Sequence, residues 1–524
     1  MRGPIHWRLH QEVPMASTGE NWSRREFLST TSTLAFPAVL GLRPRRDKPN
    51  LLFLWTDEQR ADTMRVYGNG RIHAPNLNKL ASQSVVFLNA YVSQPVCTPS
   101  RSTVMTGLWP HQTGCTENNI PLSPQTPCLP EILNDPDYRT GYFGKWHLGD
   151  EIFPQHGFEE WVSIEDEYGR FYSEGKDRNA KSSYWHFLRE LGYSPDTGRG
   201  TFSRRYVSRL PLEHSKTRFL ERKACEFLER HRREPFILYV NFLEPHMPFN
   251  GPLNDEHRLD EIVLPENFDD PLEENEPLRY RLLRAQYAQF GFEGHDLSTE
   301  SGWRRLIANY WGLVSQVDRS VGAILRTLDR LGLEDNTIVV YTSDHGDMMG
   351  AHRLLAKTVM YNESVRVPWL IRYPSLTRKR VLVREPVSHI DLVPTLLHLL
   401  GRRQDQRFPG ESLLPRVLAG KPSPNEVFIE WNPPLRYGEP LPNLLDAPEE
   451  EVQRAFGASI RTVITPDNWK LCLSDLDKSQ LFDLNRDPWE TTNLFGEPQV
   501  ADIVARLTDR IRRWQETVND RLPL

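Results

Sequence analysis

The chain has 524 residues, of which 38% are hydrophobic and 26% charged, with a formal net charge of -6 and a mean hydropathy of -0.56. Acidic and basic residues are mixed along it, which excludes the basic footprint of a nucleic-acid binder and a strong attraction to an anionic membrane surface, so any anion must be bound by a local cationic site. The length exceeds what one compact core usually holds and predicts a large domain with a smaller one.

Ser23-Arg24-Arg25-Glu26-Phe27-Leu28 reads as a twin-arginine export motif, followed by a mild apolar stretch from Leu34 to Leu42 and a basic cluster from Arg43 to Lys48. The apolar stretch is too short to span a bilayer as a helix. Residues 1–48 are therefore set aside as signal and flexible N-terminus, with the mature protein expected in the periplasm or secreted and without a membrane span. Met15 as the start would leave a signal of ordinary length.

Asn50 to Thr56 is a short, continuously apolar run, as expected of a strand buried on both faces; Phe236 to Phe242 and Thr337 to Ser343 read alike. Between them lie helical patterns. The clearest runs from Leu306 to Leu331, with Val314, Val317, Val321, Ile324, Leu325 and Leu328 on one stripe and Gly332 at its cap; another runs from Asp391 to Leu400, closed by Gly401. Strands alternating with helices predict an α/β domain with a mostly parallel sheet over residues 49–420. Two segments, Tyr168 to Leu210 and Gly251 to Gly302, are polar and poor in periodicity, and are expected as insertions over the sheet, either setting specificity or ornamenting the surface. A linker near Gly420 to Asn425 precedes a small α+β domain, 425–524. Its strand candidates are Val427 to Glu430, Ser459 to Ile464 and Lys470 to Ser474, and its last helix runs from Val500 to Val518.

Asp57 and Glu58 follow the first strand, and Asp344 and His345 follow the strand ending at Ser343. In open α/β sheets ligands collect beyond the carboxyl ends of strands. Three carboxylates and an imidazole there predict a divalent cation; oxygen-rich ligation favours calcium or magnesium, and the histidine admits manganese. The five cysteines, Cys97, Cys115, Cys128, Cys225 and Cys472, show no C-x-x-C spacing. An odd count in an exported chain points to another task for one of them, and the sequence leaves open whether Cys115 and Cys128 pair. The 14 Trp and 17 Tyr fit either a core and its rim or stacking on sugars.

Cys97-Thr98-Pro99-Ser100-Arg101, with Thr106-Gly107 after it, resembles the signature of the sulfatase family of the alkaline phosphatase superfamily. Gly141-Tyr142-Phe143-Gly144-Lys145-Trp146-His147-Leu148-Gly149 resembles the family's second signature. Asn50 to Gln59 and Asp344-His345-Gly346 resemble its two metal turns. Leu481-Phe482-Asp483-Leu484, with Asp487-Pro488, Glu490 and Asn493-Leu494, is similar to its closing motif. The matches keep family order from Asn50 to Leu494.

The resemblance implies an alkaline-phosphatase-like large domain, a sulfated small molecule or carbohydrate as substrate, and oxidation of Cys97 to formylglycine by a formylglycine-generating enzyme. The aldehyde hydrate carries two hydroxyls, one to attack sulfur and one to expel sulfate, a combination that serine lacks. By the same resemblance Asp57, Glu58, Asp344, His345 and modified Cys97 hold the ion, with Glu58 a departure from the commoner aspartate or glutamine and His345 a milder one from asparagine. Arg101, Lys145, His147, His246 and Lys357 match the remaining active-site positions, where cations stabilise the charge on the transferring group. Either His246 or His147 protonates the leaving oxygen. His352 and His389 are weaker candidates, the latter as a structural histidine. Phosphonate or phosphate monoester hydrolysis on the same core is the alternative chemistry, and a silent sulfate-ester binding protein the alternative class.

Overall fold

The structure, a computed structural model, describes residues 48–402, 408–420, 425–434 and 442–524. The export motif, Met15 and most of the expected linker lie outside the described residues. Among those residues, no helix is long and apolar enough to cross a membrane.

Eight strands form the main sheet: β1 (Asn50–Asp57), β2 (Val85–Tyr91), β3 (Arg139–Gly144), β4 (Glu160–Ser163), β5 (Phe236–Pro245), β6 (Thr337–Ser343), β7 (Arg366–Arg372) and β8 (Val381–Ser388). Their order is β4-β3-β5-β1-β6-β7-β2-β8. Only β7 runs antiparallel to its neighbours. Central β1 is buried along its whole length. Leu52 and Leu54 point into one core and Leu51, Phe53 and Trp55 into the other. Period-two alternation between two covered faces is why this strand reads as an unbroken apolar run.

The helices Lys216–Arg230 and Glu300–Arg330 cover the first face. The second is covered by Leu392–Leu399 and by Cys97–Thr106, whose ten residues are all buried. The helix expected from Leu306 starts earlier, at Glu300, where Thr299 caps it by accepting from the Gly302 N–H.

Both insertions carry helices that were not expected, Ser183–Glu190 in the first and the 13-residue Leu278–Phe290 in the second. The apolar stripe of the latter is narrow: Leu278 and Leu282 pack on Val452 and Ala455 of the helix Glu449–Gly457. So short a seam leaves little periodicity to read.

The C-terminal sheet is antiparallel, in the order β12-β11-β10-β9, with β9 Val427–Trp431, β10 Ile460–Ile464, β11 Trp469–Ser474 and β12 Gln480–Asp483. One face carries Val463, Leu471 and Leu481 against Leu507 and Ile511 of the helix Ala501–Val518. The other sets Ile429, Trp431, Ile460 and Ile464 against Tyr91, Val365 and Val367 of the large domain. Strand β12 lies inside the closing motif and was not expected as a strand. All five cysteines are free, so Cys115 and Cys128 do not pair; burial raises the Cys128 thiol well above its ordinary range.

Candidate active site

Four adjacent parallel strands, β3, β5, β1 and β6, end on one edge, and each delivers part of the site there. The register sets Thr56 beside Ser343, so Asp57 and Asp344 emerge side by side. His246 follows β5, and Lys145 and His147 follow β3. The turn before Lys145 demands glycine: Gly144 has φ +130°, and a Cβ there would lie 2.0 Å from the Asn241 carbonyl oxygen.

Cys97 opens the helix Cys97–Thr106. Its Sγ lies 3.3 Å from His345 Nε2 and 3.7 Å from Asp57 Oδ1, with Lys145 Nζ at 3.9 Å. Burial and Asp57 raise this thiol, but Lys145, Lys357 and His345 outweigh them and lower it.

One turn further on, Arg101 is fully buried and ties the edge together. It donates from Nη2 to Asp57 Oδ2 at 2.8 Å and from Nε to Asp344 Oδ2 at 2.9 Å. Nη1 reaches the Lys145 carbonyl at 2.7 Å and Asn241 Oδ1 at 3.1 Å. Its plane lies over Trp55 at 4.7 Å. Most of its donors are thus committed to protein, and its bonds organise the carboxylates.

Lys145 Nζ bonds Asp57 Oδ2 at 2.6 Å. Burial alone would raise the Asp57 carboxyl, but Lys145, His246, Arg101 and Lys357 hold it well below its ordinary value. Glu58, at φ +70°, receives Lys357 Nζ at 3.0 Å and His246 Nε2 at 3.4 Å on the same oxygen. Its other oxygen is buried without a partner, and burial pushes the carboxyl up to about 8.

The donor set suits a hard divalent cation. Ligand atoms of Asp57, Cys97, Asp344 and His345 lie within 4.8 Å of one another, and Glu58 forms a second group with Asp57 and His246. Carboxylates with one imidazole, fully buried, and a Glu58 oxygen without a partner fit the oxygen-rich ligation of such an ion. Glu58 borders the four-residue group and is not part of it. Its main-chain N–H donates to Asp344 Oδ1 at 3.1 Å.

The two histidines differ. His147, at φ +59°, has its N–H held by Glu151 at 2.6 Å and its Nε2 by Asn119 at 3.0 Å, while Nδ1 has no partner. Burial, Lys145 and Arg101 drive it well below its usual range. Burial and Lys357 do the same to His246. Glu151, Asn119, Asn241 and Tyr168, whose ring sits 4.6 Å from His147, were not foreseen. Glu151, four residues after His147, was within reach of a local reading; the other three meet the site only through the fold. His352 is buried away from the reacting edge, stacked on Tyr361 at 3.9 Å and bonded to Asp270 at 2.5 Å. His389 is structural, bonded to Thr342 at 2.9 Å and pushed down to about 3 by burial.

The loop carrying Lys357 is clamped from two sides. Arg279 of the second insertion bonds Thr358 Oγ1 at 2.7 Å and the Thr358 carbonyl. Lys470 of β11 donates to the Met360 carbonyl at 2.5 Å and to Glu490 Oε1 at 2.6 Å, and Glu490 Oε2 accepts the Asn362 N–H at 2.6 Å. The Lys470–Glu490 pair is fully buried. Lys470→Met is therefore expected to cost about 3 kcal/mol by stranding a buried carboxylate, with much of that recovered in Lys470→Met/Glu490→Gln. Denaturant unfolding of the single and double variants checks this, and equal losses in both would contradict it.

A mostly parallel sheet with buried cations and a carboxylate–imidazole cluster at its carboxyl edge is the arrangement of an ester hydrolase of the alkaline phosphatase type. The sulfatase family profile matches residues 49–402, and that of the N-sulphoglucosamine sulphohydrolase C-terminal region matches 350–517. The chain belongs to the sulfatase family of the alkaline phosphatase superfamily and is a sulfuric ester hydrolase. It is 30% identical to the uncharacterized sulfatase YidJ of Escherichia coli K12, over 90% of this chain and 88% of that one. It is 27% identical to an N-acetylglucosamine-6-O-sulfatase of Bacteroides thetaiotaomicron, over 94% and 92%. Among solved structures it superposes on a phosphonate monoester hydrolase from Silicibacter pomeroyi with a TM-score of 0.75, at 24% identity, over 90% of this chain and 96% of that one.

Proposed function

We propose that this protein removes sulfate from a sulfated carbohydrate, using formylglycine made from Cys97 by a formylglycine-generating enzyme and one divalent cation, best matched by calcium. Export by the twin-arginine route belongs to the same reading, since that route carries folded, already modified protein. The observation that carries the proposal is the convergence of Lys145, His345 and Asp57 within 3.9 Å of Cys97 Sγ. The encoded thiol stands where the oxygens of the hydrated aldehyde belong. The carbohydrate follows the named activity of the Bacteroides relative.

Asp57, Asp344 and His345, with the free oxygen of Glu58 beside them, would hold the ion, which supplies Lewis-acid polarisation of nucleophile and ester oxygen. The formylglycine hydrate supplies one hydroxyl to attack sulfur and a second to release sulfate.

The chain's own side chains do the rest. Lys145 and Lys357 face the transferring group and stabilise charge on its equatorial oxygens in a buried setting where such contacts are strong. His147, surrounded mainly by cations, stays neutral with Nδ1 free and serves as base. Asp57 favours the charged form of His246 against burial and Lys357, and His246 is assigned to protonate the leaving oxygen once the substrate's negative charge offsets Lys357. Arg101 keeps Asp57 and Asp344 aligned and helps hold Asp57 ionised.

The test uses protein made alongside a formylglycine-generating enzyme. The peptide spanning Cys97 is expected to carry the aldehyde by mass spectrometry. Turnover of a sulfate ester is expected to exceed that of the matching phosphate and phosphonate esters, to vanish on chelation and to return with calcium. Unmodified cysteine in fully active protein, or faster phosphonate turnover, would overturn the reading.

A further inference from the structure

Next to the reacting edge lies an open groove of about 510 Å³ lined in part by Arg205, Arg209, Arg305, Glu293 and Asp255. It shares Ser208, Pro248 and Asn250 with the cleft that reaches His246. The Glu293 carboxyl senses both the Arg205 guanidinium and the Glu58 carboxylate, which places the groove within electrostatic range of the site.

Its charges are not equally committed. Asp255 pairs with Arg305 at 3.3 Å, and Glu293 accepts the Phe249 N–H at 2.8 Å. Arg205 and Arg209 are exposed, and among the described residues neither side chain makes a hydrogen bond or ion pair. Two like charges lining one groove repel, and an anion bound between them relieves the repulsion.

Their support is rigid. The neighbouring Arg204 turns inward and bonds Glu165 Oε2 from Nε at 2.8 Å and the Tyr168 hydroxyl at 3.0 Å. Lys216 closes the same buried carboxylate from the other side. The segment presenting Arg205 and Arg209 is thus pinned to the Tyr168 that packs on His147.

We propose that Arg205 and Arg209 form a subsite for a second oxyanion, a sulfate or a carboxylate, on the sugar adjoining the one that loses sulfate, so that the substrate is a multiply charged oligosaccharide. This rests on the sulfated-carbohydrate reading above. Guanidinium groups in pairs suit either oxyanion, because their planar forks match both geometries.

The experiment compares wild type with Arg205→Ala/Arg209→Ala on an aryl sulfate and on three disaccharides bearing the same scissile sulfate. The adjoining sugar is neutral in the first, sulfated in the second and a uronic acid in the third. The double variant is expected to raise KM about tenfold for one or both charged disaccharides, with kcat, the neutral disaccharide and the aryl sulfate unchanged. Whichever charged disaccharide responds identifies the anion. An equal effect on neutral and charged disaccharides, or no effect on any, overturns the subsite. Calorimetric binding of the charged disaccharides to Cys97→Ala protein, with and without the two arginines, reads the subsite independently of turnover. Failure of wild type to cleave any sulfate ester would sink the proposed function, while the binding comparison would still decide this one.

Discussion

Cys97→Ala is expected to lower kcat/KM on any sulfate ester by at least about 10⁴-fold, because it removes the proposed nucleophile while leaving the electrostatic frame in place. The fold should survive. The Cys97 side chain contributes only contacts of 3.3–3.9 Å to His345, Asp57 and Lys145, whereas the frame is held by Arg101 and by the β1–β6 register. Steady-state kinetics and thermal unfolding of the same preparation check both halves. Turnover near wild type in the pure alanine variant would remove the nucleophile from the mechanism.

Arg101→Leu is expected to cost about 3–5 kcal/mol of stability, since it leaves Asp57 and Asp344 buried and facing each other without their shared counter-charge. Both carboxylates and the guanidinium are fully buried, so water cannot screen the loss. A cation bound in the cradle would replace part of the missing charge. The variant should therefore gain more thermal stability from added calcium than wild type does, by mass action on the folded state. Unfolding curves with and without calcium decide this; a variant as stable as wild type in chelator would show that Arg101 does not organise the carboxylates.

The strands that carry the site were legible because they are buried on both faces, which leaves the continuous apolar runs at Asn50, Phe236 and Thr337. The long helix was legible from its stripe, although its first six residues, Glu300 to Arg305, are polar apart from Trp303 and were missed. The helix Leu278–Phe290 went unread because its partner, Glu449–Gly457, lies far along the chain and shares only a narrow seam with it. The reacting groups were named from their motifs, and the structure brings them together on one edge. Their mutual roles were less visible. Arg101 is turned toward two carboxylates, and Glu58 sits beside the candidate ion-binding group, paired with Lys357 and His246.

By itself the sequence determined the candidate motifs, their order and the strands that end at the site, because these are local: each is written in neighbouring residues or in a period of two or about four. Only the tertiary structure decided which ionised groups face each other, how Arg279 and Lys470 hold the Lys357 loop, and that Arg205 and Arg209 share a groove beside His246. Except for Arg205 with Arg209, those pairings join residues tens to hundreds of positions apart. They follow from strand register and helix docking, which set distances to fractions of an ångström where buried charges must meet.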